Sequence, residues 1–146
     1  MQTTPKPGTS LWDMGRIITD RYQVICLVMT MRLRLERVYE LPPHPDGIRI
    51  LVDRLWPRGL SKAKAGIDFW AKEVAPSNEL RDWYQHELEK WPEFRRRYRE
   101  ELKNNDTAVK ELIAKLGAGK ATLLFGSREL NHNNAVVLKE YLETLG

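Results

Sequence analysis

The chain contains a single cysteine, Cys26, among its 146 residues. One thiol cannot form a disulfide within its own chain, and it cannot supply a thiolate metal site by itself. Disulfides are typical of oxidising compartments, so their absence fits a reducing one. We therefore predict a cytoplasmic protein.

Long apolar runs are also missing. The longest apolar segment extends from Val24 to Met29, whereas a helix that crosses a bilayer needs about 20 apolar residues. A signal-peptide core takes about 7–15 residues and a small-residue cleavage site, and neither is present. The sequence predicts no membrane association.

The common catalytic and cofactor signatures are absent. The three histidines, His44, His86 and His132, form no HExxH pair. No Walker phosphate loop and no dinucleotide fingerprint occurs, and Glu129 stands where a nucleophile elbow around Ser127 requires its second glycine. We predict no metal and no cofactor.

Charge of neither sign dominates. There are 24 basic and 20 acidic residues, which gives a net charge of +4. This excess favours anionic partners only mildly. A nucleic-acid role stays open but is not favoured, because dedicated binders concentrate their basic residues more strongly.

The hydrophobic pattern divides the chain into an extension and one domain. Residues 1–30 begin with loop-forming residues, and we predict a poorly ordered N-terminal extension or one extra strand there. Residues 31–146 are predicted to form a single α/β domain. Strands are expected at 33–38, 48–55 and 121–125, with helices between and after the last two. This order predicts a small three-layer domain whose short, mostly parallel central sheet is flanked by helices.

Two of these strands end in residues that suit a binding site. The strand at 48–55 runs into Trp56, Pro57, Arg58 and Gly59, and the strand at 121–125 runs into a polar loop at 126–134. Ligands of parallel sheets bind beyond the carboxyl ends of the strands. If the two strands are neighbours, both loops face the same space.

The side chains of these loops predict a polar pocket for a small anionic ligand. Arginine matches carboxylate or phosphate with a planar fork of donors, and histidine can move protons near neutral pH. The expected ligand-binding residues are Arg54, Arg58, Ser127, Arg128, Asn131 and Asn134. The expected proton-transfer residues are His132 and His86, and the expected supporting residues are Asp53, Trp56 and Lys72.

Structural interpretations compete with these roles. Asp53 and Arg54 could only hold loops together, and Trp56 with Pro57 could be a rigid plug of the core. Asn131 is also a good N-cap for the last helix. His132, in the first turn of that helix, could be purely structural.

A longer motif is similar to a known family. The segment Leu51-Val52-Asp53-Arg54-Leu55-Trp56-Pro57-Arg58-Gly59 resembles the opening motif of the domain-of-unknown-function 488 family, in its YeaO-like branch. The likeness extends over roughly residues 32–145. It includes the segments 68–72, 75–77, 80–86, 94–98, 122–125 and 132–135. The resemblance implies a small cytoplasmic α/β domain and singles out the same strand ends, but it implies no particular activity.

Three functions follow as hypotheses. The first is a pocket for a small anionic or nucleotide-like ligand, with hydrolase or transferase chemistry left open. The second is a nucleic-acid-binding module in which the phosphates of the nucleic acid contact four arginines, Arg95, Arg96, Arg97 and Arg99. The third is a protein-interaction domain, including a homodimer, since the five tryptophans are of a type enriched in binding hot spots.

Overall fold

The computed structural model describes residues 31–40 and 47–145. The strands are β1 (Met31–Arg37), β2 (Ile48–Leu51), β3 (Phe69–Trp70) and β4 (Gly119–Phe125). The helices are α1 (Lys62–Ala65), α2 (Asn78–Tyr84), α3 (Trp91–Lys103), α4 (Asp106–Leu116) and α5 (Asn134–Thr144). Short 3-10 turns occur at Lys72–Val74 and Leu88–Lys90. The predicted extension at 1–30 lies outside the described residues.

The four strands form one sheet in the order β1-β4-β2-β3, and every pairing is parallel. This confirms the predicted α/β class and the parallel sheet. All four strands point the same way, so their carboxyl ends meet at one edge. The strands β2 and β4, whose ends carry the candidate site, are direct neighbours.

Alternation along the central strands builds a core on each face of the sheet. Ile50 and Leu123 belong to the larger core, which the residues of α2, α3, α4 and α5 complete. Leu51 and Leu124 belong to the smaller core on the other face, together with Ala65 of α1. The sheet therefore lies between a thick helical layer and a thin one.

The thin layer includes the corner that follows β2. Trp56 packs partly buried against the smaller core. Its indole N–H donates to the carbonyl of Leu60 at 2.7 Å, and its ring meets Trp70 edge-on at 5.3 Å. Pro57 is buried. These contacts hold the corner firmly at the carboxyl edge.

Strand β2 ends earlier than the sequence predicted. The pattern favoured a strand as far as Leu55, but β2 ends at Leu51. The Val52 amide still donates to the carbonyl of Leu124 at 3.0 Å. Beyond that point the Asp53 side chain, rather than its backbone, pairs with the end of β4. The chain then turns into the corner.

The start of β2 requires a glycine. Gly47 has φ +79°, and a Cβ built on it would lie 2.1 Å from the carbonyl oxygen of Lys120 in β4. Gly59 has nearly the same φ, +78°, but nothing lies within 4 Å of its Cβ position. The two glycines share a backbone conformation and differ in the space around them.

We expect Gly47→Ala to lower the free energy of unfolding by about 3 kcal/mol or more, since steric overlap adds to backbone strain. Gly59→Ala should cost only the left-handed strain, about 1–2 kcal/mol. Urea denaturation of both variants measures the difference. Equal losses would show that the backbone of β4 yields easily at Lys120.

Candidate functional site

The carboxylate of Asp53 joins the two loops of the candidate site. One oxygen, Oδ2, accepts a hydrogen bond from the Gly126 amide at 2.7 Å, and the other accepts from Asn134 Nδ2 at 3.0 Å. The same Asn134 nitrogen donates to the carbonyl of Val52 at 3.0 Å. The end of β2, the loop after β4 and the start of α5 are therefore tied at one point. The two loops share one edge of the sheet, which is the condition for a common site.

Gly126 allows this close approach. A Cβ on it would lie 3.3 Å from Asp53 Oδ2 and 3.9 Å from a ring carbon of Tyr39. The first distance is shorter than an ordinary van der Waals contact, so a side chain there would displace the carboxylate.

Burial raises the pKa of Asp53 above its ordinary value of 3.8. The hydrogen bonds from Gly126 and Asn134, and the nearby His86 and Arg81, act in the opposite direction but do not cancel it. A carboxylate removed from water is destabilised unless donors surround it. Burial therefore disfavours the charged form of Asp53, while its hydrogen bonds give the carboxylate a structural role.

A second set of contacts brings the end of β1 to the same loops. Arg37 Nε donates to the Ser127 carbonyl at 3.1 Å, and its guanidinium carbon lies 4.7 Å from the centre of the Tyr39 ring. The Tyr39 hydroxyl donates to the Arg58 carbonyl at 3.1 Å. Sequence reasoning missed Arg37 and Tyr39 as site residues, although the strand-end rule applied to β1 points to them.

Arg58 and Arg128 present their side chains to solvent. Neither guanidinium has a hydrogen bond or an ion pair with another residue in the described ranges. Lys72 is also exposed, and its ammonium lies 5.3 Å from the centre of the Trp70 ring. These cations remain able to contact a ligand.

Arg54 is used differently. Its Nε and one terminal nitrogen donate to the carbonyls of Pro76 and Ala75, both at 3.0 Å. The guanidinium therefore holds the segment before α2 in place, which matches the structural interpretation of this residue. It also lines an open cavity of about 170 Å³ together with Tyr98 and Glu101.

His132 faces a carboxylate and an aromatic ring. Its Nδ1 lies 3.2 Å from Glu129 Oε1, and its ring meets Trp91 edge-on at 5.0 Å. The backbone carbonyl of His132 accepts from the Tyr84 hydroxyl at 2.9 Å. Desolvation raises the pKa of Tyr84 to about 12, so this phenol stays protonated and keeps donating.

His86 is also a neighbour of Tyr84. Its imidazole is 5.5 Å from the Tyr84 ring, and the residue is exposed. Gln85 and His86 both have positive φ, +47° and +56°. The Gln85 value is the ordinary left-handed end of α2. The two histidines contact different rings, Tyr84 and Trp91.

The loop after β4 is folded by its own polar groups. Ser127 Oγ accepts from the Glu129 amide at 3.0 Å, and Glu129 Oε1 accepts from the Asn131 amide at 2.9 Å. The pKa of Glu129 is lowered, mainly by the Asn131 bond and then by His132. The carboxylate therefore stays charged and holds the turn.

The N-cap of α5 is Asn133. Its Oδ1 accepts from the Val136 amide at 3.1 Å, and its Nδ2 donates to the Glu129 carbonyl. The interpretation of Asn131 as this cap is wrong, because α5 begins only at Asn134. The Asn131 side chain is exposed, and its ligand-binding role stays a prediction.

Residues 31–40 and 47–145 contain neither a cluster of metal-ligating side chains nor a helix that could cross a membrane. No three His, Cys, Asp or Glu side chains come close enough there to hold a metal ion. No helix of this part of the chain combines the length and the apolar composition needed to cross a bilayer.

We expect Asn134→Ala to destabilise the protein by about 1–3 kcal/mol, because Asp53 and the Val52 carbonyl lose a partly buried donor. Asn131→Ala, three residues earlier on the exposed loop, should stay within about 0.5 kcal/mol of the parent protein. Thermal or urea denaturation of both variants provides the comparison. Similar losses of unfolding free energy in the two variants would show that the bonds between Asn134 and Asp53 are not what stabilises this edge.

The raised pKa of Asp53 has a consequence for stability. Between pH 3.8 and the raised value, the folded protein keeps a proton that the unfolded chain has released. Stability therefore falls as the pH rises through this window. Asp53→Asn removes the titrating group and this component with it. The unfolding free energy of the parent minus that of the variant should decrease as the pH rises. A difference that increases would reverse the sign assigned to Asp53.

Comparisons with known proteins agree with the motif along the strand ends. The model of a family described as "Inactive DUF488-N3 subclade" matches residues 32–145. The uncharacterized protein Rv3073c of Mycobacterium tuberculosis is 41% identical over 116 residues, which cover 80% of this chain and 98% of that protein. The uncharacterized protein YeaO of Escherichia coli is 38% identical over 115 residues, 79% of this chain and 100% of YeaO. No solved structure matches. The chain therefore belongs to the DUF488 family and is similar to its YeaO-like members.

Proposed function

We propose that this domain binds a small anionic or nucleotide-like ligand at the carboxyl edge of its sheet, and that it binds this ligand without transforming it. The observation that carries the proposal is the pair Arg58 and Arg128. They stand exposed on two neighbouring loops, with no ion-pair partner in the described ranges.

The electrostatics of the edge favour an anion. Arg37 and Lys72 lie at the ends of the two outer strands, and Arg58 and Arg128 follow the two central ones. The two carboxylates on the loops that carry Arg58 and Arg128 are engaged: Asp53 accepts from two donors, and Glu129 holds its own turn and His132. Clustered charge of one sign raises the local concentration of ligands of the other sign.

The loops are also held in advance of binding. Asp53 fixes the loop after β4, and the Tyr39 hydroxyl fixes the corner at the Arg58 carbonyl. Groups held by the fold lose less entropy when a ligand arrives. Asn131 and Asn134 are proposed to orient that ligand, with the second amide limited by its two bonds to Asp53 and Val52.

Binding is favoured over chemistry for two reasons. The family description carries the word "inactive". His132 has its Nδ1 against Glu129, and Ser127 Oγ accepts from the Glu129 amide, so neither is arranged as a nucleophile with its base. We therefore assign His132 and His86 as donors toward the ligand. Hydrolase or transferase activity is the weaker alternative.

The nucleic-acid hypothesis finds less support. Arg95 and Arg99 pair with Glu140, and Arg96 and Arg97 pair with Glu93. An arginine that already neutralises a carboxylate gains less from a phosphate. The arginines of α3 are therefore expected to form a solvated, charge-balanced face rather than a phosphate track.

The test is titration with pyrophosphate and with ADP, followed by isothermal calorimetry or amide chemical shifts. Arg58→Ala and Arg128→Ala should each weaken binding about tenfold, as expected for the loss of a charge-assisted contact. Arg96→Ala, an exposed arginine on α3 paired with Glu93, should leave the affinity unchanged. Added salt should weaken binding of the parent protein.

Loss of affinity in the Arg96 variant equal to that in the other two would indicate general charge attraction. No binding of either anion at low ionic strength would rule out the proposed site.

A further inference from the structure

Exposed apolar side chains occur on the same loops as the two exposed arginines. The large hydrophobic residues with most exposure in the described ranges are Tyr39, Leu55, Leu88 and Leu130. Tyr39 follows β1, Leu55 follows β2 and Leu130 follows β4, so three of the four stand at the carboxyl edge. Single exposed leucines are common on protein surfaces, whereas several exposed apolar side chains at one edge indicate an interaction site.

The apolar and basic residues alternate on the same two loops. Leu55 is 61% exposed and lies on the corner that leads to Arg58; Leu130 is 54% exposed and lies two residues after Arg128. The Asp53–Gly126 bond joins the two loops, and Tyr39 bonds the Arg58 carbonyl. We call Tyr39, Leu55, Arg58, Arg128 and Leu130 the basic-apolar rim.

A small anion alone leaves much of this rim unused. Phosphate or carboxylate satisfies guanidinium groups but buries no aliphatic surface. Complete burial of a leucine side chain stabilises a complex by about 1.5–3 kcal/mol. The chemistry that satisfies both parts of the rim is a carboxylate-bearing chain with large hydrophobic side chains.

We infer that the ligand of this edge is an acidic peptide segment with interspersed leucine or aromatic residues, supplied by another protein. This inference rests on the proposed anion site and names the partner class for it. The carboxylates of the segment pair with Arg58 and Arg128, and its apolar side chains cover Leu55 and Leu130.

Two other occupants fit the rim less well. A second copy of this chain would bring arginines against arginines across a twofold axis, because both partners use the same patch. An anionic bilayer is typically bound by clusters of about four to eight basic residues, each contributing about 1 kcal/mol, whereas the rim contains two arginines.

The experiment uses three fluorescein-labelled peptides of equal length and measures anisotropy. The first alternates Asp and Glu with Leu and Phe, the second has Ser in place of Leu and Phe, and the third has Lys in place of Asp and Glu. The first should bind at least about tenfold more tightly than the second, given two partly buried leucines. The third should not bind.

Variants of the leucines separate this inference from the anion site. Leu55→Ser combined with Leu130→Ser should reduce binding of the first peptide to the level of the second and leave pyrophosphate binding unchanged. Leu88→Ser is the matched control, since Leu88 is 56% exposed but lies between Glu87 and Glu89. It should change neither affinity.

Equal binding of the first two peptides, with pyrophosphate binding still dependent on Arg58, would overturn the inference and keep the anion site. No binding of pyrophosphate or of any peptide would overturn both. Sedimentation with phosphatidylserine vesicles that depends on Leu55 and Leu130 would replace the peptide with a lipid surface. Concentration-dependent light scattering abolished by the same pair of substitutions would replace it with a second copy.

Discussion

The hydrogen bonds of the Asp53 carboxylate are the constraint on which the carboxyl edge depends. This one side chain receives the Gly126 amide and the Asn134 side chain. Through these bonds the end of one central strand fixes the loop after its neighbour and the start of the last helix. Burial makes the charge unfavourable, which the raised pKa reflects, and the donors offset part of that cost. The role of this carboxylate is therefore structural: it holds the loops of the edge in place.

The arrangement of arginines follows from the same geometry. Arg54 and Arg37 donate hydrogen bonds to backbone carbonyls. The arginines of α3 form ion pairs with Glu93 or Glu140. Arg58 and Arg128 differ because they are exposed on the loops of the edge and have no ion-pair partner among the described residues. The basic excess of the chain is small, and exposed cations without an ion-pair partner also occur elsewhere in the described residues, for example Arg32, Lys62 and Lys64. Arg58 and Arg128 are set apart because both follow central strands at the carboxyl edge. The exposure of these two arginines, rather than net charge, is the basis of the anion site that we propose at this edge.

Several features of the site were predictable from the chain. The apolar strands followed by polar loops, at Asp53 to Gly59 and at Gly126 to Asn134, indicated a shared edge because parallel strands end together. Arg37 and Tyr39 were not predicted as site residues, because the proline-rich segment that follows their strand indicated only a connection to the next strand. The role of Tyr84 was also missed. Its position suggested a helix face, and its hydroxyl reaches the His132 carbonyl 48 positions away in sequence.

The amino-acid pattern was enough to predict the strand and helix periodicities, the mostly parallel α/β class and the polar character of each strand end. These depend on residue type and spacing along a few neighbouring positions. The packed structure was needed to show which arginines are paired, that Asp53 bonds Gly126, that Asn133 rather than Asn131 caps α5, and that Leu55 and Leu130 are exposed on the loops of Arg58 and Arg128. Each of these outcomes depends on distances between segments far apart in the chain. Such distances are set by the packing of the whole sheet and its helices, and local propensity carries no information about them.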